Sequence, residues 1–492
     1  MRDRDYDHSR QINLHRWSEK IEIDEFVTHI YETFLEQPKD NVRIQTKHLK
    51  ALLLDLFIAW SDDPELCLSV HMTEAAYNNG QVFWKGKSIY NEQNIKGSII
   101  KLIHRLRDAG LVGFKEGYEG NANWYGRLSR IWPEDSLVGL FKQARFDCFD
   151  ITFSEIRATV ILRDKDKKDV EYLPDKKTQK MSELLLRYNK LLHKSFIDIP
   201  SLNIPRIELP MKKRRRRMNK PLFVNISHHN KFVRRIFNNG TFEEGGRFYG
   251  GWWQRIDGSY RKSIRINNLP TVEIDYSALH VVLAYAYIEI DYWNATSKDP
   301  YDIQVRSITN KEHARKIIKL LLLLSLNASD EQSLYKAFRN QLDYEVYTYS
   351  FPDNTLAEML SNIRKAHPLI SHLICTGAGL KLMNIDGRIC EYIIEQFVRT
   401  DTPILSVHDS FIVQIGQEDR LKWLMQTAFE KVTRKEKIHV KFNDNLTRAQ
   451  FYAHGAMDRQ WFYDIFVNIF KNEGSDGYQV RMKKHQTWLN LE

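Results

Sequence analysis

Two short segments, far apart in the chain, decide the expected fold: Val272-Glu273-Ile274-Asp275-Tyr276-Ser277-Ala278-Leu279-His280 and Ile404-Leu405-Ser406-Val407-His408-Asp409-Ser410-Phe411-Ile412-Val413. In each, an apolar run carries an aspartate to a polar break, which predicts a buried strand that ends in a turn. Two such strands side by side would bring Asp275 and Asp409 together at one edge of a sheet. Close carboxylates repel each other unless cations lie between them, and two Mg²⁺ ions about 3.5–4 Å apart commonly fill that role.

The residue order in both segments resembles the family A (DNA polymerase I-like) nucleic-acid polymerases. Asp275-Tyr276-Ser277, ahead of an apolar helix-like run, is similar to motif A, and His408-Asp409-Ser410 is similar to motif C. The resemblance covers roughly residues 241–430. It implies an α+β right-hand polymerase, with a palm sheet and helical fingers and thumb. It further implies that Asp275 and Asp409 hold two Mg²⁺ ions, with Mn²⁺ as a substitute and the backbone carbonyl of Tyr276 as a further ligand.

A helix-like segment between the two motifs carries Arg315 and Lys319 four residues apart, and therefore on one helix face. The resemblance implies that these cations bind the triphosphate of the incoming nucleotide. His280 stands where the DNA polymerases of the family place a glutamate that excludes a ribose 2′-OH. Asn327 stands where they place a tyrosine beside the nascent base pair. These two departures concern nucleotide binding, and both residues are predicted to contact the nucleotide.

Motif C departs from the family as well, because Ser410 follows the aspartate where DNA polymerases usually have glutamate. His-Asp-Ser is also found in single-subunit RNA polymerases, so motif A favours DNA synthesis and motif C is compatible with RNA synthesis. His408 is expected to seat the primer end. Upstream, residues 241–249 are similar to the family's Thr-x-Gly-Arg segment, which implies that Arg247 reaches the minor groove there. Asp386 is predicted to cap the start of a helix that precedes motif C.

Composition is consistent with a nucleic-acid partner. The 492 residues include 73 Lys+Arg against 63 Asp+Glu, a net charge of +10, and such an excess attracts phosphates. Within the basic run 212–217, Arg214 and Arg215 are predicted phosphate contacts. The four cysteines lack Cys-x-x-Cys spacing, which argues against a structural zinc site and a disulfide framework. No apolar run is long enough to span a bilayer, so a cytoplasmic protein of a bacterium or phage is expected.

The N-terminal third has a different pattern. Residues 47–60 and 95–109 are helix candidates, Gly110 stops the second helix, and strands are predicted over 111–114 and 125–131. This order is typical of a winged helix-turn-helix. Its second helix turns basic residues outward, and these are predicted to face duplex DNA. The alternative is a small packing domain without DNA contact. The predicted DNA-facing residues are Lys101, Arg105 and Arg107.

The sequence thus predicts a polymerase fused to a DNA-binding module. The expected segments are an N-terminal arm (1–40), a winged-helix-like domain (41–135), a thumb-like region with the basic run (136–240), palm (241–299), fingers (300–372), and palm with a C-terminal extension (373–492). The expected activity is template-directed nucleotidyl transfer on a DNA template and primer from nucleoside triphosphates, without a proofreading exonuclease. Alternatives are a single-subunit RNA polymerase or primase-like enzyme, and a DNA-binding regulator with an inactive palm. Sugar preference and oligomeric state stay open.

Overall fold

The computed structural model describes residues 4–35, 42–78, 88–120, 126–209, 222–305, 308–342, 349–436, 438–442 and 473–490. The chain divides into two compact units. The first unit comprises Met1–Thr159, Glu171–Phe232 and Asn472–Glu492, and the second comprises Val160–Val170 and Val233–Lys471. Both mix helices with strands, which confirms the predicted α+β class. Among the described residues, no helix is long and apolar enough to cross a bilayer.

The first unit is built around one long buried helix, Val42–Asp62, in which every residue from His48 to Ala59 is buried. A four-stranded sheet packs beside it, in the spatial order Ser9–Gln11, Cys67–Val70, Ser129–Pro133, Val112–Lys115. The first pair of neighbours is parallel and the others are antiparallel. Further helices are Ile21–Phe34, Ala75–Asn78, Ser98–Asp108, Asp135–Gln143, Lys176–Lys194 and Asp476–Leu489. Further strands are Arg16–Trp17, Thr152–Phe153, Ile197–Asp198, Arg206–Leu209 and Leu222–Asn225.

A fully buried carboxylate lies in the middle of that long helix. Asp55 accepts hydrogen bonds from Arg10 at 2.7 and 2.8 Å, from Arg16 Nε at 2.8 Å, and from the backbone N–H of Asn13 at 2.6 Å. Burial alone would raise the pKa of Asp55, but the two guanidinium groups hold it below its ordinary value. The buried charge is therefore neutralised by partners from the N-terminal strands.

The second unit is centred on an antiparallel sheet in which Leu269–Tyr276 pairs with Ser410–Gln414, Arg265–Ile266 and Val440–Phe442, and Ser410–Gln414 also pairs with Ile404–Val407. A smaller sheet contains Val160–Leu162, Arg234–Phe237 and Gly245–Tyr249. The helices are Gly258–Arg261, Leu279–Tyr287, Tyr292–Ala295, Lys311–Asn327, Glu331–Gln341, Asp353–Ala366, Gly379–Val398 and Glu418–Thr433.

Local sequence explains the helix that carries the predicted phosphate ligands. Asn310 caps Lys311–Asn327 by accepting a hydrogen bond from the backbone N–H of His313 at 3.0 Å. Apolar residues at helical spacing, such as Ile317, Ile318 and Leu321, bury one face, and the charged residues lie on the other. The helix thus presents a basic face while its apolar face packs into the unit.

The predicted start of the helix before motif C is wrong. That helix runs from Gly379 to Val398, so Asp386 lies two turns inside it and caps nothing. The helix approaches the strand Gly245–Tyr249 so closely that a side chain at Gly387 would meet the Gly246 carbonyl at 2.3 Å. Close backbone approach of this kind requires glycine, and it brings Asp386 against that strand. The predicted phosphate contacts Arg214 and Arg215 lie outside the described residues.

Candidate active site

The two predicted aspartates come together at one edge of the sheet, Asp275 in the strand Leu269–Tyr276 and Asp409 in the turn between Ile404–Val407 and Ser410–Gln414. Asp275 lies opposite Ser410 in the antiparallel register, so the turn that carries Asp409 is beside the end of the first strand. The backbone N–H of Tyr276 donates to the Asp409 carbonyl at 3.2 Å, which fixes the two segments to each other. Hydrogen bonds of the sheet therefore set the separation of the two carboxylates, which flexible loops could not do.

Both aspartate segments end in strained backbone. His408 begins the turn between Ile404–Val407 and Ser410–Gln414 with a φ of 56°, and Ala278, just before the helix Leu279–Tyr287, has a φ of 55°. Non-glycine residues rarely adopt this left-handed conformation, which costs on the order of 1 kcal/mol or more and is concentrated at functional sites. Strain on both sides of the aspartate pair indicates a geometry kept for function.

The electrostatics of the pair are unfavourable without an added cation. The Asp275 side chain is 17% exposed. Burial, and then the charge of Asp409, raise the pKa of Asp275 to about 7, while Lys441 and Lys319 oppose the shift. Lys441 Nζ lies 3.5 Å from the Asp275 carboxylate, but that lysine is half exposed and therefore a weak partner. The pKa of Asp275 thus stays raised although lysines lie close to it.

The aspartates line a cleft of about 340 Å³ whose opposite side is the helix Lys311–Asn327. Arg315 and Lys319, on the exposed face of that helix, both line the cleft, as does Leu323 one turn further on. The structure thus brings together two carboxylates and two cations, as the sequence predicted for Asp275, Asp409, Arg315 and Lys319.

Several cleft residues were not identified from sequence, among them Lys441, Asp299 and Tyr301. Asp299 accepts a hydrogen bond from Arg315 Nε at 2.6 Å. Arg315, the predicted phosphate ligand, is therefore already bonded to a carboxylate of the protein. The ring of Tyr301 lies 5.2 Å from the Arg315 guanidinium and 6.0 Å from Lys319 Nζ. Burial and the charge of Asp409 raise the pKa of Tyr301. Asp299 and Tyr301 lie in an irregular segment with no motif or periodicity, so only their position in the fold reveals them.

Arg247 belongs to a buried hydrogen-bond network close to the aspartate pair. Its Nε donates to the Asp386 carboxylate at 2.5 Å, and its Nη2 lies 2.6 Å from Nε2 of His280. Burial raises the pKa of Asp386 to about 6 although Arg247 opposes the shift, and burial together with Arg247 lowers that of His280 to about 4. The uncharged imidazole of His280 can therefore accept a hydrogen bond from Arg247, which holds the ring at the cleft wall.

A second buried hydrogen-bond network accounts for the partner of Ser410. Its hydroxyl donates to Glu273 at 2.6 Å, and Arg261 donates to the same carboxylate at 3.0 and 3.2 Å. Glu273 is therefore satisfied within the protein and is not free to take a metal. Strand alternation places Glu273 on the same face as Asp275, a signal that sequence analysis could have used.

Other predicted site residues lie apart from the cleft. Asn327 ends its helix, where its amide donates to the Leu323 carbonyl at 2.7 Å, and it does not line the cleft. His408 faces the small cavity beside Arg247 and Asp386. Burial and the charge of Arg247 lower the pKa of His408.

The three predicted DNA-facing residues lie in the first unit, on the helix Ser98–Asp108. Lys101 is exposed. Arg105 donates to Gln45 at 3.2 Å and Arg107 donates to Asp108 at 2.7 Å. Lys101 is therefore the member of this set that is most available to an external phosphate.

The donor chemistry of the cleft fits divalent ions in part. Carboxylate oxygens are the ligands that Mg²⁺ prefers, and the ion usually keeps several waters with only one or two protein carboxylates. In the described part of the chain, no group of three or more His, Cys, Asp or Glu side chains is arranged to enclose a metal. Asp275 and Asp409 could therefore hold ions only in an open site completed by water and substrate phosphates.

No protein-family model matches this chain, and no curated protein matches its sequence.

Proposed function

We propose that the chain is a nucleotidyltransferase that extends a primer on a nucleic-acid template, with two Mg²⁺ ions bound by Asp275 and Asp409. One observation carries the proposal. Asp275, at the end of a strand, and Asp409, in the adjacent turn, line the same cleft as the basic face of the helix Lys311–Asn327, and burial raises the pKa of Asp275. A mutually repelling acidic pair suits divalent cations, and a facing pair of cations suits phosphates. A nucleoside triphosphate with its metal ions would supply both: divalent cations for the aspartates and phosphates for the facing cations.

The residues present would share the work as follows. Asp275 and Asp409, with the Tyr276 carbonyl, would hold the ions, which when bound activate the attacking hydroxyl and stabilise the leaving group. Arg315 and Lys319 would bind the phosphates and neutralise charge that develops on them. Because Asp299 already accepts a hydrogen bond from Arg315, a triphosphate would have to displace it. His280 and Arg247 would line the sugar side.

The antiparallel sheet with its two aspartates supports a palm, and the helix Lys311–Asn327 supports fingers. In the first unit, the order helix Val42–Asp62, strand Cys67–Val70, helix Ser98–Asp108 and the strand pair Val112–Lys115 and Ser129–Pro133 supports a winged helix. We infer duplex binding by that unit from this order and from the exposed Lys101.

Primer extension tests the proposal directly. The full-length protein is incubated with a primed DNA template, Mg²⁺ and either dNTPs or NTPs, and products are resolved on a denaturing gel. Extension that requires Mg²⁺ and follows the template is expected, with dNTPs preferred. Equal use of NTPs would favour the RNA polymerase alternative. No extension of DNA or RNA primers with either nucleotide set would contradict the proposal.

A further inference from the structure

The first unit contains a second cleft, here called the terminal cleft, with a volume of about 610 Å³. One wall is the C-terminal helix Asp476–Leu489, and the other is the segment 144–150 together with Lys20. The helix is firmly held within the unit. Arg481 donates to the Asp198 carboxylate at 2.7 Å, and Tyr478, Met482, His485 and Trp488 are buried at helical spacing.

The adjacent face of that helix is basic. Val480, Lys483, Lys484 and Thr487 line the terminal cleft, and both lysines are exposed. Among the described residues, neither lysine side chain donates a hydrogen bond or joins an ion pair. Two neighbouring ammonium groups held on one cleft wall without partners favour an external anion.

Of the residues that the structure describes, two carboxylates and four cations line the terminal cleft, so its net charge is positive, and both carboxylates bond within their own segment or to Lys20. Asp147 accepts from the Cys148 thiol at 2.9 Å and from the backbone N–H of Phe149 at 3.4 Å. Asp150 accepts from Lys20 Nζ at 2.9 Å and from the backbone N–H of Asp147 at 2.8 Å. The carboxylates thus stabilise the local turn, and the lysines keep their charge.

Arg145 on the opposite wall adds a third available cation. It pairs with Glu25 at 2.6 Å, but the two side chains are 76% and 53% exposed. Exposed pairs of this kind are worth about 0–1 kcal/mol, so a phosphate can recruit the arginine at little cost. The terminal cleft therefore has cations on both sides.

Aromatic side chains contribute apolar surface between these cations. Phe146 and Trp488 both line the cleft and are 9% and 7% exposed, and Trp488 stacks on Phe149 with ring centroids 5.6 Å apart. Little of either ring is exposed, so these residues supply an apolar floor and not an open stacking face, and a groove that combines cations with an apolar floor suits a single nucleic-acid strand, whose phosphates and bases are both accessible. A cleft of about 610 Å³ admits one or two nucleotides but not a base-paired duplex.

We propose that the terminal cleft binds single-stranded nucleic acid, with Lys483, Lys484 and Arg145 on the phosphates and a base against Phe146 and Trp488. This contact lies within the first unit and does not depend on the aspartate pair of the second unit. It is also distinct from duplex contact through Lys101, because its lining residues come from the segment 144–150 and the C-terminal helix.

The test reverses the two lysine charges with K483E/K484E in the full-length protein. Binding of a fluorescein-labelled oligothymidylate is measured by anisotropy across a salt series. The matched control is K176E/K180E, which changes two exposed lysines of the same unit and gives the same change of net charge. We expect K483E/K484E to weaken binding at least about tenfold and to reduce the log–log salt slope by roughly 1.4, at about 0.7 per phosphate contact on a single strand.

A gain-of-function variant keeps the proposal falsifiable if the double variant folds poorly. Thr487→Lys adds a cation to the same helix face, and we expect tighter oligothymidylate binding with a steeper salt slope. Equal weakening by K176E/K180E, no effect of either double variant, or equal loss for a labelled duplex would each overturn the assignment. The variant Asp275→Asn should keep the lysine-dependent binding, because the two sites are separate.

Discussion

Asp55 and Asp275 are both largely buried aspartates, yet their surroundings are opposite. Asp55 in the first unit is bound by two arginines and a backbone N–H, and its pKa is below the ordinary value. Asp275 in the second unit faces Asp409 and a half-exposed lysine, and its pKa is raised to about 7. The first carboxylate stabilises the protein that surrounds it. The second is a carboxylate whose ionisation is made costly by burial and by a neighbouring aspartate, and perturbed carboxylates of this kind are concentrated at functional sites.

The largest expected difference between the two is in activity. Asp275→Asn and Asp409→Asn should each lower nucleotide transfer by roughly 10³-fold or more, about 4 kcal/mol of barrier, because each removes a charge that the metal ions need. Side-chain volume is unchanged and Asp275→Asn removes a charge that burial makes costly, so neither variant should unfold at a lower temperature than wild type. Primer extension and circular dichroism check this, and near-normal extension by either folded variant would contradict the two-metal assignment.

The reverse pattern is expected at the other carboxylate. Asp55→Asn leaves Arg10 and Arg16 buried without a full counter-charge, which should destabilise the first unit by about 3–5 kcal/mol. Chemical denaturation measures the loss. At a temperature where the variant is still folded, extension of a short primed template should continue. If Asp55→Asn unfolds no more readily than wild type, the Asp55 carboxylate does not stabilise the first unit.

Acidity should affect two buried histidines of the first unit and Asp275 of the second with opposite signs. Burial lowers the pKa values of His193 and His485 in the first unit to about 3. Their contribution to stability is therefore present above about pH 6.5 and is lost as pH falls toward 3. Asp275 has a raised pKa, so its contribution favours the folded state below about pH 4 and is lost as pH rises through 7.

The effect of Mg²⁺ on stability should also depend on pH. Cations that bind Asp275 and Asp409 need the ionised form, so Mg²⁺ should raise the unfolding temperature of wild type more at pH 8 than at pH 5. Asp275→Asn should lose that increment. Differential scanning calorimetry at both pH values supplies the measurement, with Ca²⁺ as a second probe. An identical shift in wild type and variant would place the ions elsewhere.

Sugar selection should change by a smaller amount. His280→Gly removes the ring that Arg247 holds at the cleft wall, and we expect the preference for dNTPs over NTPs to fall about tenfold, or ~1.4 kcal/mol. His280→Gln is the matched control, because its amide oxygen can still accept from Arg247. Single-nucleotide insertion kinetics give the ratio. Unchanged discrimination in the glycine variant would remove His280 from sugar selection.

The smallest effect is expected on the helix Ser98–Asp108. If Lys101 contacts duplex DNA, Lys101→Ala should reduce the log–log salt slope by about 0.9. Arg105→Ala and Arg107→Ala should each reduce the slope by less than that, because both side chains already have partners. Titration of a labelled duplex at several salt concentrations tests this. An unchanged slope in a variant with Lys101, Arg105 and Arg107 all changed to alanine would indicate a packing domain.

Much of the candidate site could be predicted from residues close in sequence. Alternating apolar residues ending in an aspartate predicted the strands of Asp275 and Asp409, and an i, i+4 cationic pair on an apolar helix predicted the basic face of Arg315 and Lys319. The structure brings these four residues to one cleft. Such predictions succeed because periodicity and spacing are properties of the local chain.

The failures concern contacts between distant segments. Asp386 was assigned to a helix start, but the close approach of Gly387 to Gly246 makes it the partner of Arg247. The nucleotide contact of Asn327 stays a prediction, since its amide donates within its own helix and it does not line the cleft. No spacing rule could reveal Asp299 beside Arg315, since that irregular segment has no period.

The sequence by itself therefore determined the strand that carries Asp275 and the helix that carries Arg315 and Lys319, because these follow from local pattern. The tertiary structure alone decided which charges are neutralised. Asp55 is held by two arginines, whereas Asp275 has one half-exposed lysine at 3.5 Å and a second aspartate beside it, although both are aspartates within predicted secondary structure. Counter-ions arrive from segments far away in sequence, and the energy of a charge depends on burial and distance in space.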